Sequence, residues 1–176
     1  MGDVVDLLCN TADARKIKIY RDIDDLNTSE SIEKFMRDIG AGDRIFIVLS
    51  DKYLRSPYCM RELYETWAHC ALDTETLRQR TRVFAQPCAG LGSRQEVRAK
   101  ISEIVDYWEA EYRDLDKRIS SDPRKVSKAD IADYQMIQIV IPCIAEILRT
   151  FSDVVRATKP EDFVDHALDG CVSRAE

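Results

Sequence analysis

The 176-residue chain lacks both a long apolar run and a strongly basic stretch. No window approaches the roughly 18 consecutive apolar residues of a membrane-spanning helix, and Met1–Asn10 has neither the basic nor the apolar region of a secretion signal. The 32 Asp and Glu outnumber the 26 Lys and Arg, giving a net charge of −6, which disfavours contact with a nucleic-acid backbone. We therefore expect a cytoplasmic protein that binds neither membranes nor nucleic acid directly.

Motifs for metal binding and for common hydrolases are also missing. The six cysteines form no CxxC pair, which favours reduced thiols over a disulfide or zinc framework. His69 and Cys70 could be a ligand pair, but no second pair lies at metal-binding spacing. The sequence has no HExxH and no GxSxG. We expect no bound metal and no resident cofactor.

The first half of the chain is predicted to alternate helices with strands. An amphipathic start at residues 4–8 predicts a helix, and alternating apolar residues in 16–21 (KIKIYR) predict a strand. Residues 32–39 repeat apolar positions at helical spacing, and the unbroken run 45–49 predicts a strand covered on both faces. Val83 and Phe84 indicate a further short strand before Pro87. This order predicts an α/β fold with a parallel sheet.

The second half is predicted to be helical. Apolar residues from Val97 to Ile119 follow one helical stripe, and a second apolar segment from Ile131 to Phe151 contains Pro142. We interpret the second segment as a proline-kinked helix that forms a hairpin with the first. A last short helix is expected after Thr158 and Pro160, with Thr158 as its cap.

The stretch SPYCMREL (56–63) raises the main functional question. Ser56 can cap a helix that begins at Pro57, and the helical period then puts Glu62 on the exposed face. Most such glutamates are solvated and have no chemical role. This helix, however, begins just after the strand 45–49, at the sheet edge where open α/β folds bind ligands.

The acidic loop of Asp22, Asp24 and Asp25 allows a second interpretation, a Mg²⁺ site of a phosphotransfer receiver. A receiver also needs an aspartate at the end of the next-but-one strand, where this chain has Ser50. A solvated, turn-forming loop is therefore the preferred explanation.

Taken in order, these motifs resemble the Toll/interleukin-1 receptor (TIR) domain family, in particular its bacterial branch. The resemblance covers about residues 3–87: an acidic loop, a Ser-Ile helix start, a strand ending in Leu-Ser, and Ser-Pro-aromatic-Cys-x-x-Glu-Leu. It implies a flavodoxin-like fold with a parallel sheet and, in many members, cleavage of NAD⁺ at the nicotinamide-ribosyl bond upon self-assembly. We expect a TIR core in residues 1–90 and a C-terminal helical extension in 91–176.

The resemblance also implies roles for individual residues. Glu62 matches the family's catalytic glutamate. The substrate pocket is expected to include five further positions: Tyr20, Asp22, Ser50, Tyr58 and Cys59. The loop Asp22–Glu30 matches the gating and assembly loop, within which the named positions are Asp24, Asp25, Leu26 and Ser29. Two of these depart from the family pattern: Tyr58 replaces a tryptophan, and Ser29 replaces a glycine.

The family's central first strand has no counterpart in this sequence. The two strands that would flank it would lose backbone partners, each loss costing about 1 to 3 kcal/mol. We therefore expect weak or no NADase activity from the chain as given. Two functions stay open: an NAD⁺ nucleosidase of bacterial defence or signalling, and a non-catalytic TIR module that signals by homotypic assembly. A receiver or nucleotide-binding domain is a distant third.

Overall fold

A computed structural model describes residues 2–19, 44–70, 74–155 and 159–171 of the chain. The predicted helix around residues 32–39 and the acidic loop 22–30 lie outside these ranges.

The described chain is mostly helical, with two short strands. Its helices are α1 (Gly2–Ala14), α2 (Asp51–Leu54), α3 (Pro57–Cys70), α4 (Thr74–Arg80), α5 (Arg94–Ser121), α6 (Lys128–Val140), α7 (Ile144–Val154) and α8 (Pro160–Leu168). The strands are β1 (Ile45–Leu49) and β2 (Thr81–Ala85). Short 3₁₀ turns occupy Pro87–Ala89, Pro123–Lys125 and Ile141–Cys143.

The two strands pair in parallel, from Ile45 opposite Thr81 to Leu49 opposite Ala85. Both were predicted from sequence, and α2, α3 and α4 connect them. The predicted mixed α/β class is confirmed at this coarse level, with a two-stranded sheet in the described residues.

The strand predicted at residues 16–21 is wrong for its described part, because Ile17–Ile19 are not assigned to a strand. Lys16 has a left-handed backbone (φ 58°), and the Ile17 amide donates to the Ala12 carbonyl at 2.9 Å. The Lys16 amide donates to the Asp13 carbonyl at 3.0 Å, which completes a Schellman-type end to α1. The Ile17 amide therefore closes a helix instead of pairing with a strand.

Apolar side chains cover both faces of β1 and β2. On one face, Ile47 and Val83 belong to a first core that also contains buried residues of helices α2 to α7. On the other face, Phe84 belongs to a second core with buried residues of α1 and α8, and Phe46 packs against it. The rings of Phe84 and Phe163 lie 5.4 Å apart in that core. The unbroken apolar run in β1 reflects this burial on two sides.

Helices α5, α6 and α7 form the predicted hairpin. Tyr112 of α5 stacks on Tyr134 of α6 with ring centroids 4.9 Å apart. The 3₁₀ turn at Ile141–Cys143 interrupts the second arm, as Pro142 predicted, because a proline removes a helical hydrogen bond. The predicted tail helix is confirmed as α8, although Lys159 is the residue that precedes its first turn and Thr158 lies outside the described ranges.

The hairpin packs directly on the strands. By length and composition, the span Lys128–Val154 could cross a membrane, because an 18-residue window within it has a mean hydropathy of 1.5. The same composition suits a core helix, and Ile144, Leu148 and Phe151 of this span are fully buried in the first core. Residues on both sides of position 90 share that core, and the division into 1–90 and 91–176 stays a prediction.

Trp108 connects the hairpin to α2, the helix that follows β1, and its replacement should lower the stability of the fold. Its indole Nε1 donates to the Leu54 carbonyl at 3.1 Å, and the side chain is 2% exposed. Trp108→Phe should lower the free energy of unfolding by about 1 to 3 kcal/mol, because the buried carbonyl loses its partner. Urea denaturation followed by circular dichroism measures this.

Tyr107→Phe is the matched control for that prediction. The Tyr107 hydroxyl reaches the Arg55 carbonyl at a longer 3.4 Å, so its removal should cost less than about 1 kcal/mol. Equal losses for the two variants would contradict the importance given to the Trp108 hydrogen bond.

Candidate functional site

The site begins where β1 ends, at Ser50. Its side chain is buried (4% exposed), and its Oγ accepts a hydrogen bond from the Tyr53 amide at 3.1 Å. This bond caps α2, because a serine side chain satisfies an amide that the first turn of a helix leaves unpaired. Ser50, one of the predicted substrate-pocket positions, therefore lies at the carboxyl end of β1 and caps α2.

A second cap starts α3 six residues later. The Ser56 Oγ accepts from the Cys59 amide at 3.5 Å, and the Ser56 carbonyl accepts from the Met60 amide at 2.9 Å. Pro57 is the first helical residue, as the sequence predicted. The position of Glu62 is thus set by local sequence, in the second turn of a helix with a defined start.

Glu62 is less exposed than the helical period predicted. The inward face of α3 consists of Met60, Leu63, Thr66 and Cys70. Glu62 is half-buried, and its Oε2 accepts a hydrogen bond from the Tyr53 hydroxyl at 3.3 Å. The carboxylate therefore has a fixed direction at the carboxyl edge of β1.

Tyr53 is the site residue that the sequence analysis missed. It lies in the short helix α2 and contacts Glu62, nine residues later in the sequence. Neither helical nor strand periodicity predicts a contact at this spacing. Only the fold of the connection between β1 and α3 brings the two side chains together. No signal in the sequence alone identifies this pair.

A group of charged residues holds α2 against α5. The Arg55 Nε lies 2.9 Å from the Asp51 Oδ2, and the Lys100 Nζ lies 3.1 Å from the other Asp51 oxygen. Glu103 contacts both cations, at 2.8 Å in the case of Lys100. The Arg55 guanidinium also lies 4.8 Å from the centroid of the Tyr107 ring. The i,i+4 and i,i+3 spacings within this group are visible in the sequence, but the contact between the two helices is not.

These contacts shift the pKa values of the group. The hydrogen bond from Arg55, assisted by Lys100, lowers the pKa of Asp51 and outweighs the opposing effect of burial. Burial would lower the pKa of Lys100, but its hydrogen bonds to Glu103 and Asp51 outweigh burial, so that pKa is raised. Asp51 and Lys100 are therefore charged together over the whole neutral range, which keeps α2 attached to α5.

The remaining predicted site residues divide into two sets. Tyr58 is 57% exposed at the start of α3, and Cys59 beside it is half-buried. Six others lie outside the described residues: Tyr20, Asp22, Asp24, Asp25, Leu26 and Ser29. The described residues of the candidate site are thus Ser50, Tyr53, Tyr58, Cys59 and Glu62.

Two cavities formed by described residues lie elsewhere. One, of about 300 Å³, is lined by residues of α4, β2, α7 and α8, and one of about 160 Å³ lies at the far end of the α5–α6 hairpin. Glu62 lines neither. All six cysteines are free thiols, and no group of three potential metal ligands occurs among the described residues.

Comparison of the chain with protein-family models, with curated proteins and with solved structures finds no match.

The ion pairs around Asp51 make a pH-dependent contribution to stability. A carboxyl whose pKa is depressed in the folded state stabilises the fold above its ordinary pKa of 3.8, and this contribution is lost as the pH falls through the depressed value. Because the pair is partly exposed, Asp51→Asn should cost no more than about 1 kcal/mol at neutral pH. The cost should begin to fall below the ordinary pKa of an aspartate and vanish in acid below the depressed pKa of Asp51.

Urea unfolding of the parent and of Asp51→Asn, from neutral pH down to acid, tests this expectation. Asp106→Asn, an exposed change on α5, is the control for a general effect of charge. A cost of Asp51→Asn that does not change with pH would show that the ion pairs do not carry the effect.

Proposed function

We propose that the chain is a TIR-type domain whose Glu62 cleaves NAD⁺ at the bond between nicotinamide and ribose. The flavodoxin-like TIR fold is part of this proposal. The observation that carries it is the Glu62 carboxylate, half-buried at the carboxyl edge of β1 and oriented by the Tyr53 hydroxyl at 3.3 Å. Open α/β sheets bind ligands at this edge. The choice of NAD⁺ as substrate comes from the order of motifs, which resembles that of bacterial TIR domains.

One carboxylate is sufficient for this reaction. Ordinary glycoside hydrolysis uses two, because a poor leaving group must be protonated. Nicotinamide leaves a pyridinium as a neutral molecule, so the leaving group needs no acid. The ribosyl group that remains develops positive charge, which a nearby carboxylate stabilises electrostatically. Glu62 can also accept hydrogen bonds from ribose hydroxyls.

Other residues complete the proposal. Tyr53 is a positioning residue, since its hydroxyl donates to Glu62 Oε2 and orients the carboxylate. Ser50, Tyr58 and Cys59 surround the start of α2 and α3 and are proposed contacts of NAD⁺, as are Tyr20 and Asp22. Self-association through the loop that contains Asp24, Asp25, Leu26 and Ser29 is the proposed activating step, in a cytoplasmic setting.

A non-catalytic assembly module is the second candidate. Two observations favour it: Glu62 already has a partner within the chain, and Tyr58 presents an aromatic ring, 57% exposed, beside it. An exposed aromatic residue of this kind is common at protein contacts. In this alternative, α3 is an interaction surface and the chain signals by homotypic assembly.

Glu62→Gln separates the two functions. It keeps the shape and a hydrogen-bond acceptor for Tyr53 but removes the charge. If the chain is an NADase, nicotinamide release should fall by about 10²- to 10³-fold, the usual effect of removing one electrostatic contact to a transition state. Chromatography of nicotinamide after long incubation at high protein concentration measures this, since the expected activity is weak.

Tyr53→Phe and Glu65→Gln accompany that variant. Loss of the Tyr53 hydroxyl should reduce the rate about two- to tenfold, because it removes one long hydrogen bond, at 3.3 Å, that orients the carboxylate. Glu65→Gln, a half-buried change one turn along α3, should leave the rate unchanged. Equal release from the parent and Glu62→Gln would remove Glu62 from the mechanism. No release from any protein in the assembled state would favour the interaction module.

A further inference from the structure

The larger cavity lies at the opposite end of the strands from Glu62. It has a volume of about 300 Å³ and is bounded by α4, the amino end of β2, and α8. Arg78 and Arg82 line it together with Gln79, and Glu75 is the one carboxylate among the described residues of the lining. A cavity of this size can accommodate a small metabolite.

Arg82 is held in place by one of its three nitrogen atoms. Its Nη1 donates to the carbonyl oxygens of Arg78 at 2.9 Å, Gln79 at 3.0 Å and Thr81 at 3.0 Å. These carbonyls belong to the end of α4 and the first residue of β2. The three hydrogen bonds that Nη1 donates fix the plane of the guanidinium group.

The opposite edge of the same guanidinium has no partner. The Arg82 Nε is buried and makes no hydrogen bond, and every Arg82 hydrogen bond in the described structure leaves from Nη1. The Nε and Nη2 atoms form the side of an arginine that binds two oxygens of one carboxylate or phosphate. A buried donor without a partner is unusual in a native protein and calls for an explanation.

The charges around this edge favour an anion. Arg78 adds a second positive charge to the lining, while Glu75 accepts a hydrogen bond from the Gln79 amide at 3.2 Å. Burial lowers the pKa of Arg82, and the nearby Arg44 lowers it further, with partial compensation by Cys171 and Asp169. A bound anion would offset both the burial of Arg82 and its repulsion by Arg44.

We propose that this cavity binds the phosphate group of a small phosphorylated molecule, with its oxygens on the Arg82 guanidinium and Arg78 as the second cation. A phosphate is favoured over a carboxylate because its two charges match two arginines. The volume exceeds that of inorganic phosphate and leaves room for the rest of a small molecule. This site is separate from the Glu62 edge and does not depend on the proposed NADase function.

Titration of the ¹⁵N-labelled chain by NMR tests the proposal, with inorganic phosphate, ribose 5-phosphate and acetate as probes at constant ionic strength. Phosphate and ribose 5-phosphate should shift the amide resonances of Thr81, Arg82 and Val83 in a saturable manner, with ribose 5-phosphate binding more tightly. Acetate should bind more weakly than either.

Variants identify the residues involved. Arg82→Lys keeps the charge but loses the planar pair of donors, so it should weaken phosphate binding about tenfold or more. Arg78→Gln leaves the three bonds from Arg82 intact and should weaken binding by a smaller factor. Arg98→Gln, an exposed change on α5 outside the cavity, is the control and should bind like the parent. Far-ultraviolet circular dichroism establishes that each variant is folded.

Three results would overturn the proposal: shifts that do not saturate, parent-like binding by both Arg82→Lys and Arg78→Gln, or acetate binding as tight as phosphate. Tighter binding of inorganic phosphate than of ribose 5-phosphate would overturn the assignment to a phosphorylated small molecule.

Discussion

The rest of the fold depends on covering both faces of the parallel sheet, of which the described residues form two strands. Two parallel strands alone bury too little apolar surface to be stable in water. β1 and β2 alternate their side chains between the two cores, with Ile47 and Val83 on one side and Phe84 on the other. Helices distant in sequence must therefore pack on each face, and their packing fixes where the carboxyl end of β1 lies. That end carries the candidate site.

The connection between β1 and α3 turns this general packing into a specific geometry. Ser50 caps α2 from below, Trp108 binds the carbonyl of Leu54, and Asp51 forms ion pairs with Arg55 and Lys100. Tyr53 lies within this restrained segment and reaches Glu62. The long helix α5, which contributes no residue to the proposed chemistry, thus determines how the Glu62 carboxylate is oriented.

Local signals predicted the elements, and tertiary contacts decided the rest. The start of α3 follows from Ser56 and Pro57, and the interruption between α6 and α7 follows from Pro142, because each acts on its own backbone. The apolar alternation at Ile17 predicted a strand, yet its amide closes α1, an outcome that depends on the left-handed Lys16. The pair of Tyr53 and Glu62 and the orphaned nitrogen of Arg82 arise only after folding, so no local pattern could reveal them.

The contact between the first and last described helices bears on the order of folding. α1 and α8 form the second core together, and Arg15 and Asp165 join them by an ion pair at 3.0 Å across 150 residues. The α5–α7 hairpin closes much shorter loops, so its contacts cost less chain entropy and can form early. The second face of the sheet is covered only when both α1 and α8 have packed on it. Until then Phe84 lacks its apolar cover, and exposed apolar surface of this kind promotes aggregation.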